Sequence, residues 1–362
     1  MKLTINLKLQ PTTEQADLLR RTLERANAAC DYISGVAWQQ QTFQQFRLQK
    51  LTYFDVKTRF ALSAQMAVRC VSKVADAYKL DRKARREFRP HGSIAYDDRI
   101  LSFKAGDNVS LWALGGRQVM PFACGDYQRR FLLNRKGEVD LVYHGGNFYL
   151  NVVCDVDEPP VGEVTDFVGV DLGIVNIASD SDGNVYSGAK VELNRRIFAH
   201  RRRNLQRNGS RAARRKLCQI KGKQAGFQRD TNHCISKAIV ASAQRTSRGI
   251  ALEDLGGIRE RVTARRRQRA RLANWGFHQL RSFVEYKARL AGIRVVYVDP
   301  RNTSRTCPDC GCIDKANRPN QATFLCVSCG FSGPADTVAA GVIRGRAAVM
   351  RPMVAIRSEA AS

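Results

Sequence analysis

Two short cysteine steps constrain this chain more than any other feature. They are Cys307-Pro308-Asp309-Cys310 and Cys326-Val327-Ser328-Cys329, with 15 residues between them. Each step lets two thiolates face one ion, and the interval suits a tetrahedral structural Zn²⁺ site. With sulfur at all four positions no coordination site is left for chemistry. One Zn²⁺ is therefore expected to fold a ribbon over residues 307–333, with Cys312 as a spare thiol; a redox pair or chance spacing is the weaker reading. The chain carries eleven cysteines. Its opening, Met1-Lys2-Leu3-Thr4-Ile5, has a strand pattern without the apolar core of a signal peptide, which favours thiols and metal ligands over disulfides. Cys30, Cys70 and Cys234 lie on apolar faces and are expected to be core thiols. No window supplies the run of about 18 apolar residues that a membrane span needs, so no membrane partner is expected.

Three acidic residues stand where apolar elements end or begin. Asp171 closes the buried-type strand Phe167–Val170 and precedes Leu172-Gly173. Glu253 closes Ile250-Ala251-Leu252. Asp336 opens a helix whose apolar positions are Val338, Ala339, Val342 and Ile343. Carboxylates at buried strand ends are costly unless a positive charge meets them. Hard divalent cations take such oxygen ligands, and a pair of Mg²⁺ ions about 3.5–4 Å apart suits phosphodiester hydrolysis. Taken singly, Asp171 also reads as a turn residue, Asp336 as an N-cap and Glu253 with Asp254 as a solvated pair. Together they read as catalytic.

Charge narrows the partner. Lys and Arg number 60 against 33 Asp and Glu, a net +27, and such an excess repels itself unless a polyanion neutralises it. Between Asn194 and Arg229 there is no acidic residue, whereas Arg201, Arg202, Arg203, Arg207, Arg211, Arg214 and Arg215 fill the stretch. Arg265, Arg266 and Arg267 form a second cluster. Solvated helix faces normally mix signs, so these runs are expected to track phosphates. Trp275, Phe277 and Tyr286 read as core.

The organisation has two halves. A strand over Lys2–Leu9 ends at Pro11, and Thr12 with Gln15 forms a capping box for a helix with Leu19, Leu23, Ala26, Cys30 and Ile33 on one face. A second helix from Ser63, with Met66, Cys70 and Val74, is expected to run through Arg82–Arg89 to Pro90. From Arg99 to Cys154 come short strands (Val109–Leu114, Phe131–Leu133, Val139–Tyr143, Asn147–Val153) separated by glycine-rich turns, which predicts a small antiparallel barrel or sandwich. Asp155–Glu163 reads as a linker. From Phe167 the order is strand, hairpin, long helices, strands Gly249–Glu253 and Arg294–Val298, and a final helix, which is the order of an RNase H-like α/β sheet. The expected fold class is a multi-domain α/β chain with this sheet and an inserted zinc ribbon.

With these pieces in hand, the chain resembles the transposon-encoded TnpB nucleases and the compact type V CRISPR effectors related to them. The resemblance rests on Gly169-Val170-Asp171-Leu172-Gly173-Ile174, His233 with Ser236-Lys237, and Leu252-Glu253-Asp254-Leu255. It continues through Phe283–Cys310 with Val298-Asp299-Pro300-Arg301-Asn302-Thr303-Ser304, the cysteine ribbon, and Asp336-Thr337-Val338-Ala339-Ala340. It implies an RNA-guided DNA endonuclease with a RuvC-type Mg²⁺ site at Asp171, Glu253 and Asp336. The implied partners are a guide RNA from the transposon end and double-stranded target DNA bearing a short flanking motif. The opening without a secretion signal and the cysteine usage lead to an expected cytoplasmic location, at the nucleoid through DNA. The implied domains are a barrel-like wedge (1–10 and 95–160), a helical recognition unit (11–94), a RuvC-like nuclease domain (164–306 and 334–350), the ribbon (307–333) and a disordered tail (351–362). Val338 stands where the family often has Asn, Pro334-Ala335 replaces an Asp-Arg pair, and Arg305 replaces a Gln. Some relatives bind DNA under guidance without cutting it, and that reading stays beside the nuclease one.

Overall fold

The computed structural model describes residues 1–162, 164–255 and 276–349. It divides into two compact units, Met1–Asp157 and Glu158–Ser362.

In the first unit, β1 (Lys2–Leu9) alternates strictly: Ile5, Leu7 and Leu9 are buried and the residues between them face out. After Pro11, Thr12 Oγ1 accepts from Gln15 N at 3.2 Å and Thr12 N donates to Gln15 Oε1 at 3.1 Å, so the capping box starts α1 (Thr13–Gln39) as expected. Leu19, Leu23, Ala26, Cys30 and Ile33 form its buried stripe. α2 (Gln45–Arg59) has no counterpart in the sequence expectations. Its buried stripe is Leu48, Thr52 and Val56, and Thr52 Oγ1 donates back to Leu48 O at 2.7 Å, so a residue that reads as polar serves as core. α3 (Ala64–Leu80) begins at Ser63, whose Oγ accepts from Met66 N at 3.3 Å.

The helix stops at Leu80, not at Pro90, which corrects the expected basic extension. Asp81 Oδ1 accepts from Lys83 N at 2.8 Å, and the Arg86 guanidinium donates to Asp81 O at 2.7 and 2.9 Å. These local bonds offer the backbone an alternative to another helical turn.

The remaining strands of this unit are β2 (Ile94–Tyr96), β3 (Leu101–Lys104), β4 (Asn108–Ala113), β5 (Gly116–Ala123), β6 (Arg135–His144) and β7 (Asn147–Asp155). With β1 they form an antiparallel sheet in the order β2-β6-β7-β1-β5-β4-β3. Tyr96 on edge strand β2 donates its hydroxyl to Trp112 O on β4 at 3.1 Å, so the far sides of the sheet approach and it is barrel-like. Phe131–Leu133 is not a strand: it falls at the end of α4 (Asp126–Leu132). Gln128 Oε1 accepts from Gly125 N at 3.1 Å to start that turn, and Tyr127 packs edge-on to Phe131 four residues on.

The second unit begins with β8 (Phe167–Asp171), β9 (Asn176–Asp180) and β10 (Val185–Ser187). The helical hairpin α5 (Ala189–Asn208) and α6 (Arg211–Arg245) follows, then β11 (Gly249–Glu253), α7 (Phe277–Leu290) and β12 (Val295–Val298). The chain closes with β13 (Thr323–Leu325), β14 (Ser332–Pro334) and α8 (Ala335–Val349). The main sheet runs β10-β9-β8-β11-β12; the first two pairings are antiparallel and the last two parallel.

Successive strand residues point to opposite faces. Val168, Val170, Ile250 and Leu252 meet Ile235 and Ile239 of α6 and Leu280 and Val284 of α7. Phe167, Ala251 and Val298 meet Ile343 and Ala347 of α8 on the other side. Cys30 and Cys70 are buried, whereas Cys234 is exposed on α6, whose core stripe is Asn232, Ile235, Ser236 and Ile239. Phe277 packs against the sheet cluster. No described helix is long and apolar enough to cross a membrane. Arg265, Arg266, Arg267, Trp275 and the tail from 351 lie outside the described residues.

Candidate active site and metal centre

The sheet register explains why two of the three expected carboxylates meet. β8 and β11 are parallel neighbours with Val170 opposite Leu252, so Asp171 and Glu253 end adjacent strands at the same edge. By the period of two, both fall on the face that carries Phe167 and Ala251, which is the face α8 covers. Gly169 lets the third approach. A Cβ there would lie 2.0 Å from Ala340 O and 2.6 Å from Arg344 N, so only a glycine admits the α8 backbone this close to β8. Arg344 fixes the lie of the helix by a forked pair to Asp166 at 2.8 and 2.9 Å. Asp336, in the first turn of α8, is thereby carried to the strand ends.

The electrostatics register that meeting. Burial, then Glu253, then Asp336 push the Asp171 carboxyl up to about 7, against the pull of Arg318. Burial also raises Glu253, opposed by the Thr303 hydroxyl and by Arg346. Crowded carboxylates of raised pKa are a site short of positive charge, which a divalent cation with oxygen preference would supply. Among the described residues only the four thiols discussed below bring three or more ligand atoms within 4.8 Å of one another.

Three neighbours of the carboxylates were not among the expected site residues. Thr303, almost fully buried, donates its hydroxyl to Glu253 Oε1 at 2.5 Å. Asn176 Nδ2 donates to Asp336 Oδ2 at 2.9 Å, and Arg318 Nη2 to Asp336 Oδ1 at 3.1 Å. Arg318 belongs to the cysteine ribbon, so the ribbon reaches into the carboxylate cluster. Its partner lies 18 positions away and that of Asn176 160 away, so spacing offers no signal for either. Arg346 donates to the carbonyls of Asp299 and Arg301 at 2.6 and 2.7 Å, pinning the loop that carries Thr303.

The cysteine ribbon is built from two copies of one turn. Gly311 N donates to Cys307 O at 3.0 Å and Gly330 N to Cys326 O at 3.1 Å, with both glycines left-handed at φ 73° and 75°. Cys307 and Cys329 sulfurs are 3.6 Å apart and those of Cys310 and Cys326 3.5 Å, with all four within 4.8 Å. Tetrahedral Zn²⁺ at a Zn–S distance of about 2.3 Å needs sulfurs about 3.8 Å apart, so the donor set fits the ion. Asn317, fully buried, ties the two knuckles: its amide donates to Arg305 O and Cys312 O at 2.9 and 3.1 Å, and its Oδ1 accepts from Val327 N at 2.9 Å.

Of the expected phosphate-tracking residues, Arg201, Arg203 and Arg207 on α5 and Arg211, Arg214 and Arg215 on α6 are exposed. Arg202 differs: it is half-buried and donates to Gln224 Oε1 at 3.0 Å, so it clamps the hairpin.

Fold and site together define a mixed α/β protein with an acidic cluster at its parallel strand ends and a four-thiol ribbon before its last helix. Residues 151–256 match the family described as "Probable transposase" (OrfB_IS605), and residues 277–343 match "Cas12f1-like, TNB domain". A TnpB-like protein of Methanocaldococcus jannaschii is 31% identical over 236 residues, covering 59% of this chain and 81% of that one. The CRISPR-associated endodeoxyribonuclease Cas12f1 of Sulfoacidibacillus thermotolerans is 34% identical over 211 residues, 53% of this chain and 49% of that protein. InsQ of Escherichia coli K12, a candidate RNA-guided DNA endonuclease, is 26% identical over 211 residues, 53% of this chain and 52% of InsQ. The chain thus spans about half the length of the Cas12f1 and InsQ relatives. It belongs to the TnpB-like family.

Proposed function

We propose that this chain is an RNA-guided DNA endonuclease of a transposon, cutting phosphodiester bonds at an RNase H-like, RuvC-type site. The observation that carries the reading is the convergence of Asp171 and Glu253 from adjacent parallel strand ends with Asp336 from α8, each raising the need for a cation. Asp171, Glu253 and Asp336 would hold Mg²⁺. When bound, a pair of such ions supplies an activated water and charge for the leaving oxygen. The chain's own residues do the rest. Thr303 holds one oxygen of Glu253 so that the other faces the site, while Asn176 and Arg318 orient the Asp336 carboxylate. The four cysteines hold one structural Zn²⁺, and the ribbon in turn delivers Arg318.

The partners are a guide RNA from the transposon end and double-stranded DNA with a short flanking motif, in keeping with the family and with the endonuclease relatives. The exposed arginines of α5 and α6 are assigned to phosphate contact. Residues 1–10 and 95–160 are assigned as the wedge, 11–94 as the recognition unit, 164–306 and 334–350 as the nuclease domain, and 307–333 as the ribbon.

One observation favours a second reading, a guided DNA-binding regulator without cleavage: Arg318 and Asn176 already occupy both oxygens of Asp336. A compact CRISPR effector is the other relative reading, and the neighbouring genome separates it, a CRISPR array against a transposon end. Asp171→Ala tests the main reading. The variant is expected to lose DNA cleavage while keeping RNA and DNA binding. Wild-type protein that binds its guided target and never cuts it in Mg²⁺ would leave the regulator standing.

A further inference from the structure

A concave site that shares no residue with the carboxylates or the ribbon lies between α5 and α6. It has a volume of about 440 Å³ and is lined by Phe198, Arg201, Asn204, Leu205, Lys216, Gln219, Ile220 and Lys223. The hairpin that makes it is set by Asn208-Gly209-Ser210. Gly209 takes a left-handed turn at φ 66°, and Ser210 Oγ accepts from Ala213 N at 3.2 Å to start α6. Phe198 is the single buried residue of α5 and shares the lining with the buried Ile220 of α6, and Arg202 donates to Gln224 across the hairpin.

Three properties of this slot occur together. Its wall is mainly apolar, from Phe198, Leu205 and Ile220. Its rim carries Arg201, Lys216 and Lys223, none with an acidic partner among the described residues. Two carboxamides, Asn204 and Gln219, stand beside the apolar wall, with Asn204 Nδ2 at 3.0 Å from His200 Nε2. A phosphate track alone needs the cations and neither of the others. An apolar slot with two carboxamides and three cations in its lining suits a nucleotide, whose base has an apolar face, a hydrogen-bonding edge and an attached phosphate.

We propose that this pocket receives one unstacked nucleotide of the strand lying along α5 and α6. Its base enters between Phe198, Leu205 and Ile220, its edge meets Asn204 and Gln219, and its phosphate meets Arg201, Lys216 and Lys223. The inference rests on the nucleic-acid role proposed above and deepens it: the helices read a base's presence as well as the backbone's charge.

The test uses the full chain carrying Asp171→Ala and measures binding only, so it does not depend on cleavage. The probes are fluorescent single-stranded 12-mers of RNA and of DNA, each made with bases throughout and with a run of abasic sites of equal charge. The parent protein is expected to bind the base-bearing form of one strand type about tenfold more tightly than its abasic form, the size of one base's contacts. Asn204→Ala with Gln219→Ala, both changes on exposed residues, removes most of that preference and leaves abasic binding unchanged. Leu205→Trp, which fills the slot, does the same. Lys216→Ala with Lys223→Ala weakens both forms. The strand type that shows the preference identifies the occupant. No preference in either strand type, or a preference that survives the carboxamide and Leu205 variants, overturns the proposal; so does equal weakening of both forms by the carboxamide variant. Should the protein never cut DNA yet show this pattern, the pocket stands and the nuclease reading falls.

Discussion

Asp171 shows most plainly what the site costs the chain. Its carboxyl is held near 7 by burial and by two acidic neighbours, against an ordinary value near 3.8. Between those values the folded, metal-free protein binds a proton that the unfolded chain has released. Stability is then full below about pH 4 and is lost as pH rises toward 7, by about 4 kcal/mol for a shift of this size. Glu253, also raised, acts in the same direction. In Mg²⁺-free buffer without chelator, with the ribbon's Zn²⁺ left in place, the urea midpoint of the wild type should therefore fall between pH 4.5 and 7.5. Asp171→Asn, neutral throughout, should flatten most of the slope, and Mg²⁺ should do so without mutation. A midpoint independent of pH in that Mg²⁺-free buffer would mean that the three carboxylates do not share one low-dielectric space. Arg318 and Thr303 moderate the strain from positions that linear distance hides, and this is the part of the site that sequence conceals. An acid at a strand end is visible as an apolar run that stops; the group that satisfies it is visible only after folding.

At the scale of elements, the decisive contact is backbone on backbone. α8 lies so close to β8 that a methyl at Gly169 would sit 2.0 Å from a helix carbonyl, with no flexible side chain to give way. Gly169→Ala should therefore push α8 off the sheet, lowering stability by about 1–3 kcal/mol or more and separating Asp336 from Asp171. Gly345→Ala is the matched control: it lies on the same helix with nothing within 4 Å of its added Cβ, and should be neutral or stabilising by up to about 1 kcal/mol. Melting curves and cleavage rates of the pair would check this, and similar behaviour of the two would refute the contact. The elements that carry this site were legible because β8, β11 and α8 are apolar patterns ending in acids at period two or 3.6. α2 was not, because Thr52 occupies a core position while Phe46 and Phe54 are exposed, so hydropathy inverts the true inside and outside. The end of α3 and the helical state of Phe131 and Leu132 are hidden from a hydropathy pattern for a related reason. Both depend on side chains bonding a few residues away along the backbone, Asp81 with Arg86 and Gln128 with Gly125, and a hydropathy pattern carries no trace of such bonds.

At the scale of the molecule, a net +27 must be neutralised by something, and the exposed arginines of α5 and α6 are the concentrated part of that charge among the described residues. The structure sorts them. Arg202 is committed to Gln224 and Arg201 lines the pocket, which leaves Arg203, Arg207, Arg211, Arg214 and Arg215 as exposed side chains outside both. Replacing these five by Gln should leave the melting temperature within a degree or two, since exposed substitutions of this kind cost little. It should weaken nucleic-acid binding most at low salt. Every phosphate that is no longer neutralised flattens the slope of log affinity against log salt by about 0.7 for a single strand and 0.9 for a duplex, so a reduction of about 4 is expected if all five touch phosphates. A reduction near 1 would mean that most of them face water and that the polyanion runs elsewhere on the basic surface. An unchanged slope would return the hairpin to a solvated pair of helices, and the excess charge would then have to be met by parts of the chain outside α5 and α6.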